Sequence, residues 1–220
     1  MGQVRPTSAR AVHLVVAVVA LAALVLQLVL VVRGGRVLDE TAVPPLSTRL
    51  VRFFSYFTVL SNLLVAVTST LSATDPERDG ERWRVAHTAS MVGITITGLV
   101  HWFLLRPLLD LHGADALADK LLHVVVPLLA VVAWVVVGPR RRTSSRSVAL
   151  SLLWPVAWTV YTLARGAVVD WYPYPFLDVG ELGWGRVLVN MVGIAVLFAL
   201  VGLALVGADR VLGRRSTRST

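Results

Sequence analysis

The sequence predicts an all-α polytopic membrane protein, a single bundle of six transmembrane helices. Three observations carry that reading. Six apolar stretches, each close to the roughly 20 residues that cross about 30 Å of hydrocarbon, fill most of the 220 residues. Hydrophobic residues make up 56% of the chain and charged residues only 15%, and the mean hydropathy of +0.73 lies outside the balance of a water-soluble globule. The charged side chains gather between and beyond the apolar runs. Lipid offers a backbone no hydrogen-bond partner, so each run must satisfy its own N–H and C=O groups as a helix.

The first span, 11–32, follows Arg5 and Arg10 much as a signal peptide follows its basic region. Its apolar run is too long for one and lacks a small-residue cleavage site, so it is expected to stay attached. The remaining spans are expected at 50–72, 85–106, 118–138, 147–168 and 187–208. Residues 1–10 form a short leading segment, and the Arg-, Ser- and Thr-rich stretch 209–220 reads as a disordered tail. Two of the loops are rich: 33–49 contains Pro44-Pro45, and 169–186 contains Asp170-Trp171-Tyr172-Pro173-Tyr174-Pro175-Phe176-Leu177-Asp178. Prolines there stop helices and stiffen the chain. Asp75, Glu77, Asp79 and Glu81 alternate with Arg78, Arg82 and Arg84, a solvated turn without the ligand spacing of a calcium loop.

Charge sets the expected orientation. The side shared by the termini holds 13 of the 21 basic residues, among them Arg140, Arg141, Arg142, Arg146, Arg210, Arg214, Arg215 and Arg218, against five of the 13 acids. On the other side Arg33, Arg36, Arg49, Arg52, Arg106, Lys120, Arg165 and Arg186 are balanced by acids that include Asp39, Glu40, Asp115 and Asp119. The positive-inside rule therefore predicts a cell-membrane protein with both termini cytoplasmic. The bases occupy short loops without an aromatic-interleaved stripe, so the expected partners are membrane lipids, with no nucleic acid. The absence of cysteine excludes disulfides, thiol nucleophiles and iron–sulfur ligation.

Polar side chains are costly in hydrocarbon, so their placement is the next question. Ser55, Thr58, Ser61 and Asn62 follow helical spacing and form one face of the second helix, which also carries Thr68 and Ser69. At 1.5 Å per residue, Thr58, His101, His123, Arg165 and Asn190 fall within roughly 12 Å of the outer surface, beneath the Trp-Tyr-Pro loop. The inner half is expected to hold no comparable cluster, and His13, His87 and His112 read as ordinary interface residues. Hydroxyls taken singly read as interhelical glue, and Trp171, Tyr172 and Tyr174 as interface anchors. An intramembrane imidazole is a functional-site candidate, because histidine exchanges protons near neutral pH. Thr58 and His123 at similar depth fit nucleophilic attack on an acyl carbonyl with the imidazole as base, although no G-x-S-x-G elbow is present.

Phe53-Phe54-Ser55-Tyr56-Phe57-Thr58-Val59-Leu60-Ser61-Asn62, then Leu122-His123-Val124-Val125-Val126-Pro127-Leu128, then Tyr172-Pro173-Tyr174-Pro175-Phe176-Leu177-Asp178, resemble in order and character the androgen-induced membrane protein family and its bacterial six-helix relatives. The resemblance runs from the second helix to the sixth. It implies a lipid-like substrate and a threonine hydrolase of fatty acid esters of hydroxy fatty acids, with Thr58 matching the nucleophile and His123 the base. The interval from His123 to Pro127 is one residue shorter than in the animal members, and the rest of the sequence diverges. A lipid ester in the outer leaflet would meet Arg165 or Arg186 with its carboxylate. Asn62, Tyr172 and Asn190 are candidate donors to the developing oxyanion, and His101 and Tyr174 complete the expected substrate-binding set.

Two other functions compete. His101 and His123 on neighbouring helices could bind haem or a metal, but with no carboxylate expected at that depth no metal or cofactor is assigned. A transporter or partner subunit would use the polar face of the second helix as a path or dock, yet no charge near the bilayer centre and no paired broken helices are expected.

Overall fold

The computed structural model describes residues 6–34, 43–138, 140 and 142–217, and every regular element among them is helical. They are α1 (Pro6–Val32), α2 (Leu46–Ser55), α3 (Phe57–Thr74), α4 (Glu81–Val100), α5 (Gly113–Lys120), α6 (Val126–Val137), α7 (Ser145–Ser151), α8 (Leu153–Val169) and α9 (Val179–Thr217). Six helical runs are long and apolar enough to cross a membrane: Thr7–Val32, Phe57–Thr74, Glu81–Leu108, Gly113–Val137, Ser145–Val169 and Val179–Arg214. Arg5, Arg36, Asp39, Glu40, Arg141 and Arg218, which enter the orientation argument, lie outside the described residues.

The second and third runs form the centre of the bundle, with 56% and 61% of their most apolar windows buried against 28–33% for the other four. α3 packs between α1 and α4, while α4 also meets α6, α7 and α9. One apolar core joins Val16, Ala20 and Ala23 of α1 to Val65 of α3 and Val126 and Ala130 of α6. A second, aromatic core gathers Phe57, Trp134 and Phe198, with Trp154 and Trp158 against it. Phe57 stacks on Trp154 at 4.5 Å between ring centres and meets Trp158 edge-on.

The helix expected at 50–72 is broken. Tyr56 adopts extended geometry (φ −71°, ψ 127°) between α2 and α3. Tertiary partners replace the helical bonds that are lost: Trp158 Nε1 donates to the Ser55 carbonyl at 2.9 Å, and the Thr58 N–H donates to the Tyr174 hydroxyl at 3.2 Å. Two further runs widen into π-turns, His101–Leu105 and Leu121–Val125. Each precedes a proline, Pro107 or Pro127, whose missing N–H leaves the carbonyl four residues earlier, at Phe103 or His123, without its helical donor.

The segment expected to be a tail is helical through Thr217. Gly202, Leu205, Val206, Asp209 and Gly213 recur at three- and four-residue spacing and are buried, so this end of α9 docks on the bundle. Asp209 accepts the Thr143 N–H at 2.7 Å, next to the Ser144–Ser147 capping box that starts α7. In the 75–84 turn, Asp79 is gripped by two nitrogens of Arg84 at 2.7 and 2.8 Å, which holds its carboxyl well below the usual range.

Candidate active site

Thr58 occupies the first turn of α3, immediately after the break at Tyr56, and is buried. Its Oγ1 lies 3.1 Å from His123 Nε2, and His123 Nδ1 lies 2.9 Å from Asp119 Oδ1 and 3.0 Å from the Asp119 carbonyl. Thr58 Oγ1 also lies 3.2 Å from the Tyr174 hydroxyl. One consistent set of protons serves all of these contacts. With Nδ1–H facing Asp119, Nε2 is left to accept the Thr58 hydroxyl proton, while Tyr174 donates to Thr58 Oγ1 and accepts from the Thr58 N–H. Hydroxyl, imidazole and carboxylate thus stand in the order that activates a nucleophile.

Local backbone explains why these groups meet. The π-turn at Leu121–Val125 leaves the Leu122 carbonyl to accept Asn62 Nδ2 at 3.1 Å, and the same nitrogen donates to the Thr58 carbonyl at 2.8 Å. Asn62 therefore ties the backbone of Thr58 to the helix that carries His123. Gly98 allows the close approach of α4, because a Cβ there would sit 3.3 Å from both the His123 carbonyl and Pro127. Tyr174 is fixed by stacking on Phe176 and by edge contacts with Tyr56. The turn Pro175–Leu177 behind it is pinned where Asn190 Nδ2 donates to the Phe176 carbonyl at 2.9 Å.

His101, fully buried, stacks on His123 with ring centres 4.0 Å apart and planes 13° apart, and its Nε2 is 3.4 Å from Asp119 Oδ2. Asp119 therefore faces both imidazoles. The potential ligand atoms of His101, Asp119 and His123 lie within 4.8 Å of one another, close enough to hold one metal ion. The expectation that no carboxylate shares the depth of the histidines is thus corrected. A signal was present in the sequence, since Asp119 and His123 are four residues apart and so lie on one helical face.

Two cavities meet at Thr58. The first, about 110 Å³, is lined by His101, Asp119 and His123 together with Gln27, Arg49 and Arg52. The second, about 290 Å³, is apolar and lies between α4, α8 and α9, walled by Val100, Leu152, Trp158, Met191 and Phe198. Thr58, Leu105 and Tyr174 line both.

Several expected binding residues serve other purposes. Asn62 spends both amide protons on backbone carbonyls, Asn190 donates to the Phe176 carbonyl, and neither lines either cavity, so neither stands as an oxyanion donor. Arg165 lies over the Trp171 ring at 5.2 Å, with Arg52 over the same ring at 4.8 Å, and lines neither cavity. Tyr172 covers Gly166 of α8, where a Cβ would strike its ring. Burial and the nearby Asp178 and Asp170 raise its phenol above the ordinary value, so it stays protonated, away from Thr58. Arg49 and Arg52 were not singled out from the sequence because loop arginines beside a span ordinarily meet the lipid interface.

At the opposite end of α3, the expectation of no second polar cluster is also corrected. His13, Thr68, Ser69, Ser72, His87 and Ser90 surround a void of about 10 Å³. His13 is buried there, unlike His112, which is exposed.

No protein-family model, curated protein or solved structure matches the chain.

Proposed function

We propose that this multi-pass membrane protein is an intramembrane threonine-dependent hydrolase of lipid esters, and that it belongs with the androgen-induced membrane protein family it resembles. The hydrogen-bonded chain Thr58–His123–Asp119, set where two cavities meet, is the observation that supports this reading. Thr58 Oγ1 attacks the ester carbonyl as His123 Nε2 takes its proton. The tetrahedral oxyanion is met by the Tyr174 hydroxyl, whose proton is released from Thr58 Oγ1 once that oxygen is bonded to carbon. His123 then gives its proton to the departing alkoxide, leaving an acyl-threonine. A water activated by the same imidazole attacks that ester, and the proton returns to Thr58. Asp119 stabilises the transient imidazolium and holds its tautomer.

The substrate class follows the resemblance: fatty acid esters of hydroxy fatty acids drawn from the outer leaflet, with both termini in the cytoplasm. A carboxylate on such an ester would meet Arg49 and Arg52, which line the first cavity, in place of the Arg165 or Arg186 first expected. Hydrolysis by protein purified into lipid nanodiscs tests the mechanism, and an unchanged rate after Thr58→Ala would overturn it.

A second reading rests on Asp119. Two imidazoles and a carboxylate provide three ligands, the number a catalytic zinc takes when its fourth position is open. Elemental analysis after metal-supplemented growth separates the two: stoichiometric metal lost in His101→Ala supports the ion, whereas activity that persists after chelation supports the threonine mechanism.

A further inference from the structure

Resting on the hydrolase reading, we infer that the ester lies across Thr58 in one direction, with its acyl chain in the apolar cavity between α4, α8 and α9 and its alcohol half in the cavity lined by His123.

The direction follows from where the proton must go. His123 lines only the first cavity, whereas Thr58 lines both. The imidazole that takes the Thr58 proton must deliver it to the alkoxide oxygen as the C–O bond breaks, so that oxygen departs on the His123 side. The carbonyl carbon, now bonded to Thr58 Oγ1, carries its acyl chain the other way. That path leads into the second cavity.

The walls suit this assignment. Among the described residues no charged one lines the second cavity, so a hydrocarbon chain enters it without desolvating an ion, while the first presents Gln27, Arg49, Arg52 and Asp115. Ionic groups are therefore accepted on the alcohol half and disfavoured on the acyl half, where the polar lining consists of hydroxyls such as those of Thr97 and Thr159. The second cavity also opens toward lipid. Its lining residues Val156 and Val160 on α8 are 58% and 63% exposed, and Ala195 on α9 is exposed. Trp158 of α8 and Met191 of α9 both stand in the cavity wall. A chain from the surrounding bilayer can thus slide sideways to the nucleophile without leaving hydrocarbon.

The test compares p-nitrophenyl butanoate with p-nitrophenyl hexadecanoate on the full chain in nanodiscs, using Met191→Trp and Ala195→Trp to fill the second cavity. The hexadecanoate-to-butanoate rate ratio is expected to fall roughly tenfold or more in both variants, because each excluded methylene forfeits hydrophobic contact. An unchanged ratio, with hydrolysis still abolished by Thr58→Ala, overturns the inference and leaves the hydrolase reading standing. If neither ester is cleaved, the hydrolase reading fails, and photocrosslinking of palmitate bearing a terminal diazirine decides the cavity assignment. Adducts on Val156, Met191 or Ala195 support it, whereas adducts on Val31, Leu109 or Leu111 of the first cavity, or none at all, overturn it.

Discussion

α3 carries polar residues at both ends, and the two ends behave differently. At Thr58 the hydroxyl faces an imidazole and a phenol from other elements, beside two cavities. At Thr68 the hydroxyl donates to the Leu64 carbonyl of its own helix and lies 3.0 Å from Ser90 Oγ, around a void that admits at most about one water. Thr88 likewise donates to the Arg84 carbonyl. Both ends carry buried histidines and hydroxyls. The first sets a carboxylate 2.9 Å behind the imidazole and open space before the hydroxyl. Intramembrane polarity is thus shared by a site and a seam, and what separates them is a hydroxyl paired with an imidazole beside a space that a ligand can fill.

Substitutions at the two ends sharpen that contrast. Thr58→Ala is expected to lower ester hydrolysis by about 10⁴-fold or more, with Thr58→Ser retaining measurable turnover. Asp119→Asn follows at about 10³-fold, because an amide lacks the charge that stabilises the imidazolium while the backbone carbonyl of residue 119 still faces Nδ1; single-turnover rates would locate the loss in the chemical step. Tyr174→Phe removes one oxyanion donor and should cost about 10²-fold in kcat with little change in KM. At the other end, Thr68→Val should leave kcat within about twofold and shift unfolding in detergent by about 0.6 kcal/mol. A large catalytic loss there would erase the distinction.

The smallest effect is expected in the exposed turn. Arg84 holds the Asp79 carboxyl below its usual range, so their pairing contributes above the ordinary carboxylate value of about 3.9 and is lost only as pH falls through the lowered folded value. Asp79→Asn should leave hydrolysis unchanged and flatten the acid limb of a thermal-melt profile.

Much of the architecture was legible because lipid enforces it. Six apolar runs of spanning length give six membrane-length helices, and the hydroxyl face of the second run brought attention to Thr58. The break at Tyr56 was not legible, since no proline or glycine marks it and the partners that replace its hydrogen bonds, Trp158 and Tyr174, come from more than a hundred residues away. The same distance hid the contact between Tyr174 and Thr58, although Tyr174 stood in the expected substrate-binding set. Asn62 and Asn190 misled for the opposite reason, as an amide with donors to spare in sequence has already spent them on carbonyls in the fold. Asp119 was readable from its four-residue spacing to His123 but was counted only as a loop charge. The helical end of α9 was obscured by arginines such as Arg210 and Arg214, which are exposed on a helix whose other side is buried.

The interruption at Tyr56 has an electrostatic consequence. An uninterrupted helix would carry its amino terminus up to the membrane surface, where water screens it. Restarting at Phe57 instead plants the partial positive pole of an 18-residue helix within the bundle, beside Thr58 Oγ1. Peptide dipoles thereby supply a fractional cation where a lysine or arginine would bear a heavy dehydration penalty. The chain can favour negative charge on a reacting carbonyl without burying an ion to do so.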